Sequence, residues 1–124
     1  METLSLALTA LVALEHIYFL YLEMFQWNRP KGLKTFNLTQ AFANESRALA
    51  ANQGLYNGFL AAGLIWGLLY PDKSAGARIQ IFFLVCILVA GMFGAVTVKR
   101  TLFWVQGLPA LIALLLMVIV ARLT

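Results

Sequence analysis

Charge is scarce in this chain. Nine Lys and Arg, five Asp and Glu and one histidine serve 124 residues, so 11% are charged and 62% hydrophobic, with a mean hydropathy of +0.85. So few charges cannot coat the surface of a soluble domain of this length, which excludes an ordinary soluble globular class and points to an integral membrane protein of one domain. The single cysteine, Cys86 in "IFFLVCILVAG", excludes an intrachain disulfide and a thiolate metal site, and reads as a small buried hydrophobe. The net charge of +4 does not make a nucleic-acid binder, because the basic residues lie between apolar runs rather than in one patch. The opening run lacks the basic start and small-residue exit of a signal peptide, so it is expected to persist as a membrane helix. No phosphate-binding glycine loop and no Gly-x-Ser-x-Gly elbow occurs.

What is present is apolar length. A helix needs about 20 mainly apolar residues to cross a hydrocarbon core of about 30 Å. Four segments qualify, spanning about 4–25, 49–70, 77–98 and 102–121. Each must be helical, because lipid offers no partner for bare backbone groups. The turns "PDKSAG" and "KRT" are short, so an all-α, four-helix, up-down-up-down bundle across residues 1–124 is predicted. The connection over residues 28–46 is long. Pro30 and Gly32 read as helix breakers within it, and "NLTQAF" reads as a short interfacial helix capped by Asn37 or Thr39. It is expected to be a surface-lying or reentrant linker, with a lid as the alternative.

Arg29, Lys31, Lys34, Arg47, Lys99 and Arg100 fall on one side, and Lys73, Arg78 and Arg122 on the other. This bias predicts a multi-pass protein of the cell inner (plasma) membrane with both termini outside.

The polar residues inside the apolar runs carry the functional reading. Within "ALEHIYFLYLE", Glu15, His16 and Glu23 share an arc of about 100° on a helix, and must face away from lipid. Within "AANQGLYNGFLAAGLIWG", Asn52 and Tyr56, and Gln53 and Asn57, are each spaced by four and form a second polar stripe. The two stripes are expected to meet, the carboxylates accepting from amides and from the tyrosine hydroxyl. Amides alone are adequate helix glue, whereas ionisable groups at membrane depth are costly for that purpose. The set therefore predicts a polar intramembrane site for a small, partly apolar molecule. Glu23 is the member nearest a helix end, where water or Arg47 is within its reach.

Three alternatives stand beside binding. In an isomerase or hydrolase, Glu15 or His16 moves a proton while Tyr56 or Asn57 holds a substrate oxygen. A small proton-coupled transporter would use the same carboxylates, and a purely structural bundle would use none of them. His16 is also a candidate haem ligand. One His and two Glu at these intervals on one helix cannot close on zinc without ligands from elsewhere. Gly91, Gly94 and Ala95 form a patch suited to close helix contact, within the bundle or in a homo-oligomer, and Pro109 is placed to kink the last helix.

The pair "ALEHIYFLYLEMFQW" and "ALAANQGLYNGFLAAGLIWG" resembles a bacterial family of small proteins with four predicted membrane helices, catalogued as domain of unknown function number 1304. That likeness covers essentially the whole chain and implies a fold and a membrane location. A fainter likeness, carried by Asn57-Gly58, is to the styrene oxide isomerases, which are small four-helix membrane proteins that bind haem. Their haem-ligating histidine has no counterpart on this helix, where Asn52 stands near its place, so the likeness would require His16 to supply the ligand from another helix.

Overall fold

The computed structural model describes residues 1–123. It is all-helical, with no strand among the described residues. Five α-helices follow one another: α1 (Glu2–Phe25), α2 (Pro30–Phe36), α3 (Gln40–Leu69), α4 (Lys73–Thr97) and α5 (Leu108–Leu123). A π-helical turn, Phe103–Gly107, leads into α5.

Three of these helical segments are long and apolar enough to cross a membrane: Glu2–Phe25, Lys73–Thr97 and Phe103–Leu123. Large apolar side chains such as Leu11, Leu14, Phe82, Phe93 and Val96 are exposed along them, as lipid-facing surfaces require. The fourth expected span forms as helix but is not one of the three. Asn52, Gln53 and Asn57 lower its mean hydropathy.

Two boundaries correct the sequence reading. Helix α3 begins at Gln40, well before the apolar run, and Thr39 caps it, its Oγ1 accepting the Phe42 N–H at 3.2 Å. Pro30 and Gly32 do not break a helix but lie in the first turn of α2, where the absent N–H of proline costs nothing. Of the two cap candidates, Thr39 serves, whereas Asn37 ends α2 with φ 54°, in the left-handed region.

The chain resolves into two compact units, Met1–Ala13 with Ala62–Thr124, and Leu14–Ala61. In the first, α4, the π-turn and α5 pack together. A Cβ placed on Gly91 would lie 2.7 Å from the backbone nitrogen of Gly107, so the two backbones nearly touch. Gly91 thus acts as the close-contact residue its sequence context indicated. The π-turn has a physical origin in Pro109, which has no N–H to offer the carbonyl four residues back. Leu108 N–H reaches Phe103 O instead, and the irregularity precedes the proline. Asp72 caps α4, accepting the Ala75 N–H at 3.1 Å. Phe83 packs its ring on Gly63, and Ser5 Oγ points at Met117 Sδ, 3.8 Å away.

In the second unit the C-terminal half of α1 lies against the N-terminal half of α3. Gly54 faces Met24, Glu23 and Leu20, and Gly58 faces Leu20. The loop closing this pair is held by side chains: Trp27 Nε1 donates to Ser46 Oγ at 3.0 Å, and Gln40 Nε2 donates to Asn28 O at 3.0 Å and to Asn44 Oδ1 at 3.1 Å. Lys31 on α2 lies 5.2 Å and 5.5 Å from the ring centres of Tyr18 and Tyr21, which places a cation over two aromatic faces.

Candidate functional site

The buried side of α1 carries Ser5, Thr9, Val12 and His16, spaced by four and three as a helix face requires. His16 has no exposed surface, its ring edge meets Phe19 at 5.2 Å between centres, and its Nδ1 lies 4.0 Å from Glu15 Oε1. Glu15 is partly buried, and its Oε1 has no hydrogen-bond partner. About two turns further on, Glu23 accepts a hydrogen bond from Asn57 Nδ2 of α3. Of the expected amide-to-carboxylate bonds, this is the one formed. Glu23 therefore meets Asn57 rather than Arg47.

The remaining polar residues of α3 do not join them. The buried side of this helix runs through Ala50, Gly54, Asn57, Ala61 and Leu64. Asn52 and Gln53 lie off that line and are exposed, as is Tyr56 at 50%. The expectation that all four polar residues line one enclosed face is corrected on this point. Small residues set which side of α3 approaches α1, because they let the backbones come close, and that rotation carries Asn57 in and its neighbours out. The Ala50-Gly54-Asn57-Ala61 spacing was the available signal.

The polar set read from the sequence does not include Gln80, Ser5 or Thr9. All three are buried. Gln80 Nε2 donates to Gly67 O at 3.3 Å, whereas Gln80 Oε1 and Thr9 Oγ1 have no hydrogen-bond partner. Ser5 and Thr9 could have been found from their spacing of four on the same face as His16.

Chemically, the Glu15 and His16 pair offers a carboxyl group beside an imidazole. A haem ligand would need a ring nitrogen facing an opening large enough for the macrocycle. His16, with zero exposure and Phe19 against its ring, does not fit that group. Among the described residues no three His, Cys, Asp or Glu side chains converge as a metal site.

Long apolar helices bearing exposed apolar side chains, with ionisable groups turned inward, define a helical membrane protein. The chain belongs to the family described as protein of unknown function (DUF1304), whose model matches residues 10–118. It is similar to an uncharacterized protein, YpaA, of Lactococcus lactis subsp. lactis (strain IL1403), with 32% identity over 117 residues that cover 93% of this chain and 97% of that one. No solved structure matches.

Proposed function

We propose that this DUF1304 protein crosses the cell inner (plasma) membrane four times, with both termini outside, and binds a small, partly apolar molecule through Glu15, His16, Glu23 and Asn57. The observation that carries the binding is Glu15 Oε1, a buried carboxylate oxygen left without a hydrogen bond beside a fully enclosed imidazole. An orphaned buried acceptor is costly unless a ligand donor completes it. The fourth span is supported by α3, whose 30 residues extend about 45 Å at 1.5 Å each. The six-to-three division of basic residues supports the orientation. Asn52, Gln53 and Tyr56 are exposed on a helix with apolar surroundings, and a second copy of the chain covering them in a homo-oligomer would satisfy their amides and hydroxyl.

Native mass spectrometry of the purified protein tests the binding. Wild type is expected to carry a co-purified small molecule, and Glu15→Leu to lower its occupancy about tenfold, the effect of losing one hydrogen bond to a charged group, with no fall in melting temperature. Equal occupancy in both proteins, or none in wild type, contradicts the reading. The 4.0 Å separation of Glu15 and His16 supports a second reading, a proton-moving isomerase or hydrolase. Tyr56, being exposed, would serve such chemistry only from a neighbouring copy.

A further inference from the structure

The first unit contains a cleft of about 670 Å³, within the range of about 300–1,000 Å³ typical of small-molecule sites. Every residue lining it belongs to that unit, and none belongs to the Glu15 and His16 set. Its walls are mainly apolar, with Leu6, Leu68, Ile81, Met117 and Val120 beside the polar Ser5 and Gln80. Its rim carries Lys73 and Arg78, with Glu2 as the one carboxylate among the lining residues.

The charges at the rim are not matched. Lys73 Nζ lies 3.5 Å from Glu2 Oε1, but the side chains are 89% and 51% exposed, so the pair is solvated, weak and easily opened. Arg78 Nη2 donates to Ser74 Oγ at 3.4 Å and has no carboxylate partner among the described residues. Two cations therefore face one anion across the mouth of an apolar cleft. Arg78 stands five residues inside the start of α4, about 8 Å along its axis. A basic group at that level, near Tyr70 and Pro71 in the α3–α4 turn, sits where lipid headgroups meet the apolar interior. Gln80, in the same wall, has its carboxamide oxygen buried and unpartnered.

We propose that this cleft binds an anionic acyl amphiphile, its phosphate or carboxylate head at Arg78 and Lys73 and one acyl chain along Leu6, Ile81, Met117 and Val120. The rim supplies the charge complementarity and the walls the apolar burial, while a zwitterionic head such as phosphatidylcholine brings a cation of its own against Arg78 and Lys73. A headgroup hydroxyl would also give Gln80 Oε1 the donor it lacks.

The test is native mass spectrometry of the full chain in detergent, titrated separately with dioleoylphosphatidylglycerol, dioleoylphosphatidylcholine and oleate. Phosphatidylglycerol is expected to be retained about fivefold more than phosphatidylcholine, and Arg78→Gln to remove about that factor, the effect of one basic residue on an anionic headgroup. Ala77→Trp, which fills the cleft from α4, is expected to abolish retention while circular dichroism stays unchanged. Oleate binding that depends on Arg78 assigns the site to free acyl anions, and binding of the diacyl lipid alone assigns it to membrane lipid; either supports the proposal. Equal retention of the two phospholipids without Arg78-dependent oleate binding overturns it. So does phosphatidylglycerol binding that survives both substitutions.

Discussion

Gly32→Ala is expected to destabilise the second unit, by roughly 1–3 kcal/mol, even though alanine favours helix over glycine by about 1 kcal/mol. A Cβ at position 32 would overlap Gln26 O and lie 2.8 Å from Trp27 O. Both are backbone atoms of the turn just after α1, and neither can swing aside as a side chain would. The methyl group therefore forces α2 off the turn it packs on. That displacement would draw Lys31 from the faces of Tyr18 and Tyr21, and Phe36 from Trp27, whose ring centres are 5.0 Å apart. Limited proteolysis between Trp27 and Leu38, together with a thermal melt, reads the effect. Faster cleavage and a lower melting temperature are expected, whereas a stabilised Gly32→Ala protein would mean that α2 is not docked there.

The second large effect concerns Glu23 and Asn57. Asn57→Leu leaves the Glu23 carboxylate without the amide that donates to it, in a partly buried setting, and is expected to cost about 1–3 kcal/mol. Glu23→Leu alone orphans the amide of Asn57, which is itself buried, and is expected to cost a similar amount. The double substitution removes both polar groups together and is expected to cost clearly less than the sum, because apolar replacement of a whole pair is nearly neutral. Unfolding of the three variants in a detergent titration measures the cycle. Strict additivity would show that the bond does not hold α1 to α3.

These two sites show where sequence reasoning succeeds and where it stops. The apolar runs placed α1, α4 and the final helix within a few residues, because membrane-spanning helix is dictated by length and hydropathy alone. The helix start after Thr39 was legible as a cap, but its continuation into the apolar run was missed because residues 40–48 include several polar side chains, and polarity marks the end of an apolar run rather than the end of a helix. Helix α2 was missed because Pro30 and Gly32 were read by propensity, whereas position within the helix decides their effect. The inward orientation of His16 was legible from cost: an ionisable group on a lipid-facing side is too unfavourable. The outward orientation of Asn52, Gln53 and Tyr56 was not, because helix rotation is set by Gly54 and Gly58 against Leu20, and that fit is a property of packed shapes.

Whether His16 is enclosed by protein is measured most directly by cysteine accessibility. In a Cys86→Ser background, His16→Cys is expected to resist both a water-soluble and a lipid-soluble maleimide in intact membranes, while Leu14→Cys, on an exposed side of the same helix, reacts with the lipid-soluble reagent. Rapid labelling of His16→Cys by either reagent would place the imidazole at a lipid or water surface and contradict the enclosed polar site.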